Sequence, residues 1–309
     1  GNTPQSEYEF LTGNTISFLP SGAIAYNLYI KKDTPSLVSQ LSEQGYECIA
    51  MHPEKATNFN RNQVYPRLGF SQFLTEDDFT DIVKIRELCS DQSVYDKMID
   101  LYENKQEGQK LFLYGVTMQN HGGYTYEGED FTPLVQTVGL NKTYDKVNQY
   151  LTCMRYTDEA LENLIGYFSD VDEHVMIVMF GDHHGDVGSD FYEELYGKKL
   201  IDVEGEQYET RYKTPFFIWT NYEIEEKADE KISLNYLSTL AMQTANIPLT
   251  EYQSFLAELQ SHYPVISAAG IYDTEDNFYT WSNVEESADY SYMKEYQILE
   301  YYMLENYKK

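Results

Sequence analysis

The sequence predicts an α/β fold, a mostly parallel β-sheet with helices on both faces, followed by a smaller C-terminal α+β subdomain. Three apolar runs, "YECIAMH", "KLFLYGVTM" and "HVMIVMF", lack polar alternation, as strands buried on both faces do. Each follows a stretch whose apolar residues recur at helical spacing, and strands separated by helices argue for parallel pairing. The pattern changes near residue 205. With 309 residues the chain is long enough for one large core and an appendage. We place the boundary between a core of residues 1–204 and a subdomain of residues 205–309.

In chain order, Thr34-Pro35 followed by "SLVSQLSEQGY" reads as an N-capped helix with Pro in its first turn, closed near Gly45. The first apolar run follows. "SVYDKMIDLYENK" is a second helix, with Gly108 as its stop, and the second run comes next. A longer amphipathic stretch, "YDKVNQYLTCMRYTDEALENLIGYF", places Val147, Leu151, Met154, Leu161 and Leu164 at three- and four-residue steps ahead of the third run. Beyond residue 205, "RYKTPFFIWT" reads as a strand. Helical segments follow near 232–246 and 250–261, and the tyrosine-rich "YSYMKEYQILEYYMLENYKK" makes a terminal helix.

Hydrophobic residues make up 42% of the chain and aromatics 15%, which excludes a disordered chain. The net charge of −29 disfavours a nucleic-acid partner or an acidic lipid surface, because the long-range field repels both. An anionic substrate therefore needs a local cationic feature. The three cysteines, Cys48, Cys89 and Cys153, do not make a disulfide framework. No run approaches the roughly 20 apolar residues that span a bilayer. The start, "GNTPQSEYEF", lacks an initiator Met, and we expect an upstream segment to have been removed.

Ligands collect at the carboxyl ends of strands in open α/β sheets. The three runs exit into "MHPEKATNFNR", "QNHGG" and "GDHHGD", which hold His52, His121, His183 and His184, four of the six histidines. Carboxylate and imidazole on one strand-to-loop turn suit a divalent cation, so Asp182 and His183 form the natural pair. Two ligands are too few for a tight site. A cation there would supply the local positive field, with Arg61 and His52 adding to it. No G-x-S-x-G elbow is present and no cysteine lies at a strand exit, which disfavours hydrolase-elbow and thiol chemistry; Thr3, near a glycine, is a hydroxyl that a coordinated metal could activate, although a threonine there is more often a cap.

The ordered combination of "NTPQSEYEFLTGN", "MHPEKATNFNRNQVYPRLGF", "QNHGGY" and "FGDHHG" resembles the extracellular catalytic domain of the lipoteichoic acid synthase family. These are phosphoglycerol transferases in the sulfatase-like branch of the alkaline phosphatase superfamily. The resemblance covers nearly the whole chain. It implies a catalytic Thr3 that attacks the phosphorus of phosphatidylglycerol and forms a glycerophospho-threonine. It also implies metal ligation by Thr3, Asp182 and His183, with manganese first and magnesium or zinc as alternatives. His52, Phe59, Arg61 and His121 align with residues that hold phosphate and glycerol, and His121 is favoured as the general acid. The role of His184 stays open.

The implied partners are a phosphatidylglycerol-type lipid donor and a polymer or glycan acceptor. The full-length protein is expected to be anchored at the extracellular face of a bacterial membrane. Family members carry an earlier strand ending in a Glu that completes the metal site, and Glu7 and Glu9 are poor substitutes for it. The expected consequence is a chain that binds metal weakly and turns over slowly. Two alternatives stand beside this reading: a sulfatase-like hydrolase of phosphate or sulfate esters, and a non-catalytic domain that binds cell-wall polymers. Thr3 is followed by "PQSE", without the arginine of the C/S-x-P-x-R setting of ordinary sulfatases, which disfavours sulfate esters.

Overall fold

The computed structural model describes residues 2–307. Its helices are α1 (Thr3–Thr12), α2 (Ala25–Leu28), α3 (Leu37–Glu43), α4 (Arg61–Leu68), α5 (Asp91–Glu103), α6 (Asp145–Ser169), α7 (Ser189–Tyr196), α8 (Gly205–Glu209), α9 (Leu234–Thr244), α10 (Glu251–Gln260) and α11 (Tyr290–Tyr307). Its strands are β1 (Tyr46–Met51), β2 (Gln72–Leu74), β3 (Lys84–Ile85), β4 (Leu88–Cys89), β5 (Lys110–Gly115), β6 (Met176–Phe180), β7 (Phe216–Thr220), β8 (Val265–Ser267), β9 (Gly270–Tyr272) and β10 (Phe278–Thr280).

The central layer has two pieces. One is a parallel sheet in the order β2-β1-β5, with Ile49 opposite Gln72 on one side and Leu113 on the other. The second is the antiparallel pair β6-β7, with Val178 opposite Ile218. The carboxyl ends of β1, β5 and β6 lead to His52, Val116 and Gly181, which line one cavity. Side chains alternate between the two faces as strand geometry dictates. Tyr114, Phe180 and Ile218 pack with α1, α3, α4 and α9, while Leu113, Ile177 and Trp219 pack with α5 and α6. Helices thus cover both faces.

Two local results differ from the expectation for the N-terminal half. α3 starts at Leu37, capped by Ser36, whose hydroxyl accepts from Ser39 N at 3.1 Å while Ser36 N donates to Ser39 Oγ at 2.9 Å. Thr34 is not the cap: its N–H donates to the Arg67 carbonyl at 2.8 Å and its hydroxyl to the Lys32 carbonyl at 2.9 Å. Residues 3–12 form a helix that short periodicity did not reveal. Asn2 precedes it with extended backbone, its N–H donating to the Gln5 side chain at 3.1 Å, and Pro4 sits in the first turn. Gly13 ends it at φ 73°, where any Cβ would meet Leu256 Cδ1 at 2.6 Å. The helix is held by burial of Tyr8, Phe10 and Leu11, each contributing about 1.5–3 kcal/mol.

The chain after residue 204 serves both parts of the molecule. β7 and α9 join the main core, whereas α10, α11 and the antiparallel sheet β10-β9-β8 surround a separate cluster that includes Leu256, Tyr263, Ile271 and Tyr296. Tyr296 donates to the Gly13 carbonyl at 2.8 Å and Tyr252 to Asn14 Oδ1 at 2.7 Å, fastening this unit to the end of α1. Cys48, Cys89 and Cys153 are free and buried.

Two carboxylates meet at that junction. Glu9 Oε1 accepts from Thr15 Oγ1 and Ile16 N, each at 2.9 Å, and Glu300 Oε2 accepts from Thr15 N at 2.9 Å. Burial pushes Glu9 up to about 7 and Glu300 well above the usual range. A carboxyl with a raised folded pKa favours the folded state below that pKa, so this contribution fades as pH climbs from about 4.5 through 7. Glu9→Gln should therefore gain thermal stability relative to wild type as pH is raised from about 5 to 8, read from paired unfolding curves. A constant difference between the two proteins across that range would refute the assignment.

Candidate active site

The first residue of α1 and the tip of β6 meet at one point. Thr3 Oγ1 donates to Asp182 Oδ2 at 2.5 Å and lies 3.5 Å from His183 Nε2, which is itself 3.4 Å from Asp182 Oδ2. Ser6 Oγ, one turn along α1, donates to the Asp182 carbonyl at 2.6 Å, so helix and strand tip are joined twice. His183 Nδ1 lies 2.8 Å from the His184 carbonyl. It must donate to that oxygen, which leaves a lone pair on Nε2 facing Thr3. Thr3 sits at the helix N-terminus, where the macrodipole favours developing negative charge.

A second group is built on Arg61, the first residue of α4, which is 1% exposed. Its Nε donates to Glu7 Oε1 at 3.1 Å, and its Nη2 bonds the same oxygen. Tyr26 and Tyr65 donate to Glu7 Oε2 at 3.1 and 2.7 Å. One donor is left over. Arg61 Nη1 is buried without a protein partner, and Arg61 lines the same cavity as Thr3. Phe59 stacks on the guanidinium, 5.1 Å from Cζ to the ring centroid, and is placed there by left-handed backbone at Phe59 (φ 52°) and Asn60 (φ 62°).

His52, at the end of β1, is 3% exposed, and its Nδ1 donates to the Val116 carbonyl at 2.9 Å. Burial, aided by the Arg61 charge, lowers its pKa to about 4. A neutral ring with Nδ1–H already committed presents an acceptor at Nε2. His52 thus suits a substrate hydroxyl better than it suits proton donation. His121 is exposed and lines the cavity from the loop after β5. That loop is braced by residues that no sequence spacing singled out. Arg86 Nη2 donates to the carbonyls of Gln119 and His121 at 2.9 and 3.0 Å, and Gln119 Oε1 accepts from Asp91 N at 3.1 Å.

Thr3, His52, Phe59, Arg61, His121, Asp182 and His183 all line one cavity of about 1500 Å³. Thr3 Oγ1, Asp182 Oδ2 and His183 Nε2 are oxygen and imidazole donors of the kind that hold a divalent cation. The donor set fits a metal but is short of the four or more ligands usual for a protein site. Among the described residues, no group of three or more His, Cys, Asp or Glu side chains could hold a metal ion. Glu7 is committed to Arg61 and Glu9 to Thr15 and Ile16. His184 is also turned away, with Nε2 2.5 Å from the Lys213 carbonyl.

A threonine-bearing helix start set against an Asp-His strand tip in a helix-covered α/β sheet fits an alkaline phosphatase/sulfatase-like enzyme domain. The sulfatase family pattern matches residues 1–247, and the chain belongs to that family. The chain is 28% identical over 272 residues to a Rhizobium meliloti (strain 1021) protein described as "Putative cyclic beta-1,2-glucan modification protein", covering 86% of this chain and 42% of that one. It is 29% identical over 215 residues to lipoteichoic acid synthase of Staphylococcus aureus (strain NCTC 8325 / PS 47), covering 66% and 32%. Its structure matches that of Streptococcus pyogenes phosphoglycerol transferase GacH, in complex with sn-glycerol-1-phosphate, with TM-score 0.70 and 26% identity over 86% of this chain and 67% of that one. The chain thus spans less than half the length of these two curated relatives. Enzymes of this superfamily are generally dependent on a divalent metal.

The Arg61–Glu7 pair is the most deeply buried charge in the site, and removing one partner strands the other. Glu7→Gln should lower unfolding free energy by about 3 kcal/mol, as loss of one member of a buried pair does, measured by urea denaturation. A change within about 0.5 kcal/mol would show that Arg61 does not depend on Glu7.

Proposed function

We propose that this chain is the catalytic part of a metal-dependent phosphoglycerol transferase. It moves glycerol phosphate from a phosphatidylglycerol-type lipid to an extracellular polymer or glycan through a phosphodiester on Thr3. The observation that carries this reading is the 2.5 Å contact between Thr3 Oγ1 and Asp182 Oδ2, in one cavity with the unpaired Nη1 of Arg61. A threonine hydroxyl, an oriented carboxylate and a spare guanidinium donor are what attack on a phosphodiester requires.

In this mechanism Thr3 Oγ attacks phosphorus as its proton passes to Asp182 Oδ2, the bond from phosphorus to the diacylglycerol oxygen breaks, and His121 supplies a proton to that oxygen. Asp182 Oδ2 accepts the Thr3 hydrogen bond and fixes the direction of attack. Arg61 Nη1 binds a non-bridging phosphate oxygen, which gives an acidic protein its local anion site. His52 Nε2 accepts from a glycerol hydroxyl. An acceptor hydroxyl then attacks the same phosphorus and gives its proton to His121, the phosphorus–Thr3 Oγ bond breaks, and the proton on Asp182 returns to Thr3 Oγ. A divalent cation held by Thr3, Asp182 and His183, manganese first and magnesium or zinc as alternatives, supplies charge neutralisation and a more acidic threonine hydroxyl. Among the described residues no helix is long and apolar enough to cross a membrane.

The test is diacylglycerol release from phosphatidylglycerol vesicles by the natural full-length protein with added manganese. Thr3→Ala should reduce release by about 10³-fold or more, and wild type should yield a Thr3 peptide carrying glycerophosphate. Release that persists in Thr3→Ala would exclude the covalent route.

A further inference from the structure

A second, smaller cavity of about 230 Å³ adjoins the first and is lined from α7, α8 and the loop after β6. Its walls include Tyr192, Tyr208, Arg211, Tyr212 and Asp186. The proposed reaction gives the tyrosines and Arg211 no task. His183 lines both cavities, and its Nε2 is 3.5 Å from Thr3 Oγ1. A molecule held in the small cavity therefore lies one side chain away from the threonine hydroxyl.

The walls are held in place from behind. Tyr192 donates to the Gly185 carbonyl at 2.8 Å, which pins α7 to the tip of β6, and the hydroxyls of Tyr196 and Thr210 bond at 2.9 Å, which pins α7 to the end of α8. Buried Glu209 pairs with Lys213 at 3.3 Å, and the Lys213 carbonyl holds the His184 ring. Tyr208 and Tyr212 are one helical turn apart, with rings edge to face at 5.6 Å and hydroxyls 3.1 Å apart. One hydroxyl donates to the other, so the pair keeps one free O–H and spare lone pairs. Arg211 lies over the Tyr208 ring at 5.6 Å, is exposed, and makes no ion pair among the described residues. Asp186 is exposed as well.

These groups sort the ligand by charge. A polymer end bearing phosphate puts its charge against Asp186, in a chain of net charge −29. A neutral polyol has no such conflict. It donates to the Asp186 carboxylate, accepts from the Arg211 guanidinium, exchanges bonds with the tyrosine hydroxyls and rests its C–H face on a ring. We propose that this cavity is the acceptor subsite and that the acceptor is a neutral saccharide, held by Tyr192, Tyr208, Arg211, Tyr212 and Asp186. Its function as an acceptor rests on the transferase reading. The sugar presents a hydroxyl past His183 to the phosphodiester on Thr3. A bond forms from the sugar oxygen to phosphorus, the bond from phosphorus to Thr3 Oγ breaks, the sugar proton passes to His121, and Thr3 Oγ recovers the proton held on Asp182.

Saturation-transfer difference NMR on the natural full-length protein tests this. The probes are trisaccharides ending in glucose, galactose, N-acetylglucosamine or rhamnose, and a glycerol phosphate trimer. Wild type and Thr3→Ala should both bind at least one saccharide. Arg211→Ala and Tyr212→Phe should each raise its Kd about tenfold, as loss of one hydrogen bond does, with unfolding midpoints within about 2 °C of wild type. Given phosphatidylglycerol and manganese, wild type should pass glycerophosphate to that same saccharide. The proposal is overturned by no saccharide binding up to about 10 mM, by a Kd that neither variant moves, or by tighter binding of the trimer. Glycerophosphate released only to water while the saccharide is bound also overturns it. Failure of the transferase reading looks different: diacylglycerol is never released, while saccharide binding and its loss in both variants persist, which upholds the site and rejects the reaction.

Discussion

One buried carboxylate organises the centre of this molecule. Glu7 takes bonds from Arg61, Tyr26 and Tyr65, and so ties α1 to α2 and α4 in a region that offers no water to compete. The pairing keeps Arg61 charged inside the protein and dictates which of its donors is spare. It also fixes α1 in rotation and along its axis, and Thr3 rides on that helix. Arg61 and Thr3, the cation and the hydroxyl of the proposed reaction, therefore take their positions from the same side chain.

The second constraint is the double joint between α1 and the tip of β6, made by Thr3 and Ser6 with Asp182. Its chemistry is directional. The His183 ring is held through Nδ1 by the His184 carbonyl, and the His184 ring by the Lys213 carbonyl, so the adjacent histidines divide the work between facing the site and shaping the turn. Sequence alone pairs Asp182 with His183 and leaves the role of His184 open. The carbonyl partners separate the two rings, one on His184 itself and one on Lys213 in the loop that leads into β7.

Much of the fold was legible because its determinants are local. Apolar runs of five to seven residues and long amphipathic stretches announced β1, β5, β6, α5 and α6 to within a few residues. Less local features were hidden. α1 carries Pro, three Ser/Thr and two Glu in ten residues, and its helical state comes from packing on the core rather than from propensity. β7 was readable as a strand, but its antiparallel pairing with β6 is a matter of connectivity. In the site, the polar strand exits pointed to His52, His121, Asp182 and His183, because chain ends of parallel strands gather on one edge. The support from Arg86, Gln119 and Asp91 was not visible, since hydrogen bonds between loops and helices leave no periodic trace.

The 179 positions that separate Thr3 from Asp182 along the chain mean that no local segment can bring the hydroxyl and the carboxylate together. Their contact depends on the long-range packing that seats α1 against the tip of β6, so it reports on tertiary order and is insensitive to helix or strand content as such.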